Sequence, residues 1–138
     1  MTRPIRLLIV DDEKRLVETL SKRLTARGLY VDGVHSGAEA LALMQVKPFD
    51  VALLDVRMPV MDGITLLREA KKLQPLLQVI MLSGNASINA AVEGMRLGAL
   101  EYLLKPANLE DVLAKIEEAF KKKRLEEERL AAQRAPGE

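Results

Sequence analysis

Asp11 and Asp12, Asp55, Ser83 and Lys105 stand at the ends of four separate apolar runs, and Pro106 follows Lys105 directly. Carboxylates, a hydroxyl and an ammonium are the groups that hold a hard cation and a phosphoryl group. Far apart in the chain, they share one site only if the runs are parallel strands. An open parallel sheet gathers its carboxyl ends along one edge and binds ligands there. Magnesium, or manganese in its place, suits this set better than zinc, because the donors are all oxygen. The single histidine, His35, follows a different run and reads as a surface residue. Asp55 is then available as a nucleophile, since carboxylates accept phosphoryl groups to give acyl phosphates.

Each of these residues has a plainer reading alone. Asp11 or Asp12 would cap a helix, as Asp62 would further on; Ser83 would end a strand; Lys105 is one of 21 basic residues. Their coincidence at one sheet edge carries the argument, because three carboxylates in near contact are unfavourable unless something positive lies among them.

The elements that must position them follow from hydrophobic periodicity. Ile5 to Val10 reads as a strand, and Leu16, Leu20 and Leu24 then recur at helical spacing until Gly28. Tyr30 to Val34 is a second strand, followed by a helix opened by Ser36 with Glu39 in capping-box spacing. Val51 to Leu54 is the third strand, and its helix runs to about Leu73 before Pro75. Leu77 to Leu82 is the fourth, with Ile88, Val92 and Met95 marking the next helix. Leu100 to Leu104 is the fifth, and a last helix opens at Asn108. This alternation predicts an α/β fold, a doubly wound five-stranded parallel sheet covered on both faces. The first, third and fourth runs are continuously apolar and belong inside the sheet. The second carries Asp32 and Gly33 and the fifth Glu101, so they belong at its edges. The order 2-1-3-4-5 satisfies this, with its switch point beside Asp11, Asp12 and Asp55.

With 138 residues the chain makes one domain of ordinary size. Its 49% hydrophobic but 3% aromatic composition suits an aliphatic interior and gives little material for stacking on bases. A net charge of +1 points to neither nucleic acid nor membrane, and no run could span a bilayer. Without cysteine, disulfides and thiolate metal sites are excluded, which fits a reducing cytoplasm. In the last helix the apolar stripe of Leu109, Val112, Leu113, Ile116, Ala119 and Phe120 fails beyond Phe120. Residues 1–121 are therefore expected to form the domain. Residues 122–138 form a charged helical extension or the start of a linker, leaving the domain for solvent until Pro136 and Gly137 end it. Glu117 with Lys121 and Glu118 with Lys122 are expected to pair along it.

In combination, Val10-Asp11-Asp12-Glu13, Leu54-Asp55-Val56-Arg57-Met58-Pro59-Val60-Met61-Asp62-Gly63, Ser83-Gly84, Tyr102 and Lys105-Pro106 resemble the receiver domain of two-component response regulators, especially the stand-alone chemotaxis type. The likeness covers about residues 4 to 121 and implies the flavodoxin-like receiver fold. It implies Asp55 as phosphoacceptor, Asp12 as direct metal ligand, Asp11 acting through water and the backbone carbonyl of Arg57 as a further ligand. Lys105 would contact phosphoryl oxygens, and its bond to Pro106 would be cis. Ser83 and Tyr102 would be the switch pair. Arg57 and Asn85 would flank the phosphoryl site. Ser83 and Gly84 depart from the commoner threonine and alanine.

The resemblance implies a signalling switch that takes its phosphoryl group from a sensor histidine kinase or a histidine phosphotransfer protein. Its output would reach a downstream protein or output domain through the fourth helix, fifth strand and last helix, and a phosphorylation-linked dimer is compatible with it. Other readings fit less well. A magnesium-dependent phosphohydrolase using Asp55 lacks a D-x-D motif on the first strand and a cap insertion. Nucleotide binding lacks a glycine-rich first turn. An interaction module reading Lys121 to Arg124 as a nucleic-acid patch is opposed by the glutamates that follow.

Overall fold

In the computed structural model, which describes residues 3–84 and 87–134, the alternation of apolar runs becomes strand and helix in turn. β1 (Arg6–Val10), β2 (Tyr30–Val34), β3 (Val51–Leu54), β4 (Gln78–Ser83) and β5 (Glu101–Leu104) alternate with α1 (Lys14–Ala26), α2 (Gly37–Met44), α3 (Gly63–Leu73), α4 (Ile88–Arg96) and α5 (Leu109–Arg134). All neighbouring strands are parallel, in the order β2-β1-β3-β4-β5. Asn85, Pro136 and Gly137 lie outside the described residues.

The two-residue period of the strands splits the interior into two cores. Leu8, Val10, Ala52, Leu54, Val79 and Met81 face α2, α3 and α4. Leu7, Ile9, Val51, Leu53, Ile80 and Leu82 face α1 and α5. β3 and β4 are buried throughout, whereas β2 and β5, carrying the polar residues, are partly exposed edges. The starts of α2, α3, α4 and α5 are fixed by side-chain oxygens that accept otherwise unpaired amides. Ser36 accepts from the Glu39 amide at 3.1 Å, Asp62 from Thr65 at 2.8 Å, Ser87 from Ala90 at 3.1 Å and Asn108 from Glu110 at 2.7 Å.

One helix shows a facing that its sequence reading left open, and another departs from what was expected. The stripe that marked α4 points outward, with Ile88 79%, Val92 53% and Met95 47% exposed. The helix packs instead through Gly94, whose position leaves room for a Cβ 3.6 Å from Ile64 and Met81. α5 is continuous to Arg134, and its packed face reaches one turn past Phe120. Lys123 is only 6% exposed, with its ammonium 2.8 Å from Asp50. The pairs formed along this helix are Lys115 with Glu118, Lys123 with Glu127 and Arg129 with Glu126, in place of Glu117 with Lys121 and Glu118 with Lys122. No described helix is long and apolar enough to cross a membrane.

Candidate functional site at the carboxyl edge of the sheet

Strand register brings the chemistry together. Val10 pairs with Leu54 across β1 and β3, so the next residues, Asp11 and Asp55, leave adjacent strand ends side by side. The Asp55 amide donates to the Val10 carbonyl at 2.9 Å, and the Asp11 amide to the Val34 carbonyl at 3.2 Å. On the other side Ser83 pairs with Leu104, and the Lys105 amide donates to the Ser83 carbonyl at 2.8 Å. Asp11, Asp55 and Ser83 are buried and Asp12 is exposed. The Lys105–Pro106 peptide is cis.

Asp11, Asp12 and Asp55 each present an oxygen, all within 4.8 Å of one another. This is a donor set that fits a hard divalent cation keeping part of its water. The Lys105 ammonium lies 2.7 Å from Asp11 and 3.7 Å from Asp55. Asp55 and Lys105, with Asp12, Glu13, Arg57, Ser83 and Gly84, line an open, mostly polar cleft of about 410 Å³. Burial raises the Asp55 carboxyl to about 6, reinforced by the Asp11 charge and opposed by Lys105. For Lys105 burial alone would lower the ammonium, but hydrogen bonds to Asp11 and Glu13 hold it above its ordinary value.

The loop from Asp55 to α3 is shaped by close backbone approach. A Cβ at Gly63 would sit 2.1 Å from the Asp55 carbonyl oxygen, so only glycine fits there. The Gly63 amide donates to the Val56 carbonyl at 2.8 Å, and Asp62 caps α3. Val60, wholly exposed, has φ of 70°, which is strained for a β-branched residue. Arg57 and Tyr102 meet at a neighbouring cleft of about 610 Å³ between this loop, α4 and β5, also lined by Val56, Met58 and Ile64. Tyr102 packs partly buried against the core that contains Met81.

Asp11, Asp12, Asp55, Ser83 and Lys105 are thus gathered at one edge, with Tyr102 further back on β5, opposite Met81 and two register positions before the Ser83–Leu104 pair. Sequence reasoning missed two participants. Glu13 puts a carboxylate oxygen 2.7 Å from the Lys105 ammonium; its place in the acidic turn after β1 was the available signal. His35, expected at the surface, is partly buried with Nδ1 3.3 Å from the Asp11 carbonyl oxygen.

Comparison with known proteins agrees with this geometry. A family profile described as "Response regulator receiver domain" matches residues 7–117. The transcriptional regulatory protein ZraR of Escherichia coli K12 is 38% identical over 116 residues, covering 84% of this chain and 26% of that protein. The chain therefore spans about a quarter of that relative. A CheY-like receiver domain protein from Methanospirillum hungatei superposes with a TM-score of 0.86 at 35% identity, covering 89% of this chain and 98% of that one. A Burkholderia pseudomallei response regulator protein solved with a phosphorylated aspartic acid, calcium ion and citrate gives 0.79 at 33% identity, covering 89% and 72%.

Proposed function

The chain belongs to the response regulator receiver domain family, and from that membership we propose a phosphorylation-activated switch whose phosphoacceptor is Asp55. The observation that carries this reading is the setting of Asp55: a buried carboxylate between the carboxylates of Asp11 and Asp12 and the ammonium of Lys105. An Asp55 oxygen forms a bond to the phosphorus of a phosphohistidine or acyl phosphate. The donor's bond to phosphorus breaks, and its electron pair leaves with the imidazole nitrogen or carboxylate oxygen. Lys105 turns its ammonium to the phosphoryl oxygens. Asp12 directly, Asp11 through water, Asp55 itself and the Arg57 carbonyl would hold magnesium or manganese. Such an ion supplies positive charge beside the phosphoryl oxygens when bound.

Arrival of the phosphoryl group is read by Ser83, whose hydroxyl moves toward it, and by Tyr102, whose ring turns inward beside α4. The cleft along Tyr102 and the exposed apolar row on α4 support this route. The output face is α4, β5 and the start of α5, with residues 1–121 as the receiver and 122–138 as extension or linker start. The donor is a histidine kinase or phosphotransfer protein in the cytoplasm. The relative named as a transcriptional regulatory protein makes a transcriptional output domain the first partner to test. The receiver catalyses its own phosphorylation and slow dephosphorylation and is no conventional enzyme. Turnover decides between this reading and a phosphohydrolase. With a small phosphate ester, sustained release of many phosphates per protein would contradict the switch; an adduct that stops at about one phosphoryl group per chain supports it.

A further inference from the structure

The position of Lys105 is not accounted for by Asp55 alone. Its ammonium lies 2.7 Å from Asp11 Oδ2 and 2.7 Å from Glu13 Oε1, but 3.7 Å from Asp55 Oδ1. Two of its protons therefore have short charge-assisted partners, while the distance to Asp55 exceeds a hydrogen bond. The two short partners differ in freedom. Asp11 is 2% exposed, and its Oδ1 is pinned by the Glu13 amide at 2.9 Å. The Glu13 side chain is 62% exposed. Glu13 also stands at the N-cap of α1, yet its carboxylate makes no capping bond there and is spent on Lys105 instead. It lies at the rim shared by the cleft over Asp55 and a second, mainly apolar cleft of about 420 Å³ between α1 and the start of α5.

We propose that Glu13 is a positioning residue that holds the Lys105 ammonium back from Asp55 in the resting site and gives it up to the incoming phosphoryl group. The inference rests on Asp55 being the phosphoacceptor. A phosphoryl group on Asp55 draws the ammonium toward its oxygens, and one of the two present contacts must lengthen. Glu13 is the one that yields, because water solvates an exposed carboxylate at little cost, whereas Asp11 is buried. The exchange is one of ionic partners only: Asp55 gains its bond to phosphorus, the donor leaves with its electron pair, and no proton passes to Glu13. Glu13 thereby slows phosphoryl acceptance, since its hold on Lys105 is broken on the way to the transition state.

The test is the rate of adduct formation with acetyl phosphate and magnesium, read by intact mass in the parent, Glu13→Gln, Lys105→Met and the double variant. Glu13→Gln is expected to accelerate acceptance about three- to tenfold, the scale of one unit charge at a solvated rim. In the Lys105→Met background the same change is expected to alter the rate less than about twofold, because the effect runs through Lys105. Equal acceleration in both backgrounds would make Glu13 a mere repeller of the anionic donor and overturn the proposal, as would no acceleration in Glu13→Gln alone. Should Lys105→Met take no label, the Lys105 side-chain NMR signals decide. They move in Glu13→Gln before any phosphorylation if the proposal holds, and stay in place if it does not. A parent chain that takes no phosphoryl group would sink the Asp55 assignment instead, and the same NMR comparison would still judge whether Glu13 holds Lys105.

Discussion

Lys123 and Asp50, 73 positions apart, form an ion pair at 2.8 Å in which both side chains are buried. Asp50 immediately precedes β3, so the pair lies at the end of the sheet opposite the candidate site. Arg3 reaches the same carboxylate at 2.6 and 2.7 Å, and Arg6 through both its amide and its guanidinium. The cluster ties the start of the chain, the sheet and the extension of α5 together.

Removing the carboxylate takes the shared partner from Arg3 and Arg6 and leaves the buried Lys123 ammonium only the partly exposed Glu127 at 3.3 Å. Asp50→Asn is expected to cost about 3 kcal/mol, whereas Lys123→Met, which leaves Asp50 with two guanidiniums, should cost about 1 kcal/mol. Thermal melts of both variants check this; equal, negligible shifts would show that the cluster contributes nothing. The cations hold the Asp50 carboxyl far below its ordinary range, against the effect of burial. Its contribution is therefore complete above the unfolded carboxyl value and is lost as pH falls below about 4.

Asp55 has the opposite sign. Its carboxyl is raised to about 6, so the folded chain binds the extra proton between the unfolded value near 4 and about 6. Stability contributed by this group falls as pH rises through that window and stays low above it. Asp55→Asn should therefore stabilise the metal-free protein by about 2 kcal/mol at neutral pH and by almost nothing near pH 4. Denaturant melts at the two pH values check it; a gain of the same size at both would remove the carboxyl as its cause.

Crowded carboxylates also predict a cation response. Millimolar magnesium should raise the melting temperature of the parent, by about 1.4 kcal/mol of stability at ten times the dissociation constant. Asp12→Ala should raise the metal-free melting temperature and remove most of the magnesium gain. A parent whose melt ignores magnesium would count against a shared metal site.

Two glycines should respond differently to the same change. Gly63→Ala drives a Cβ into the Asp55 carbonyl oxygen and should cost about 2 kcal/mol or more while displacing Asp55. Gly94→Ala meets only ordinary contacts inside α4 and should be neutral or stabilise by up to about 1 kcal/mol. Melts of the pair check the contrast, which reversed values would refute.

The sheet was legible because continuous apolar runs at β1, β3 and β4 can only be interior strands, while Asp32 and Glu101 mark edges. The site residues were legible because each ends a run, and strand order then fixes their neighbours. The apolar stripe of α4 marked the helix but not its direction, because periodicity reports an apolar face without saying what covers it; the close packing at Gly94 shows which side faces the core. Lys123 was taken for a solvated residue because nothing local separates it from Lys121 and Lys122. Its partner, Asp50, is fixed by tertiary packing alone. Glu13 was hidden for the same reason, since its contact to Lys105 joins the segments that follow β1 and β5.

The most direct measurement is intact mass after incubation with magnesium and a small acyl phosphate, in the parent and in Asp55→Asn. One phosphoryl adduct in the parent and none in Asp55→Asn is the expected result. No adduct in the parent, under conditions that label a control receiver, or an undiminished adduct in Asp55→Asn, would contradict the assignment of Asp55 as the acceptor.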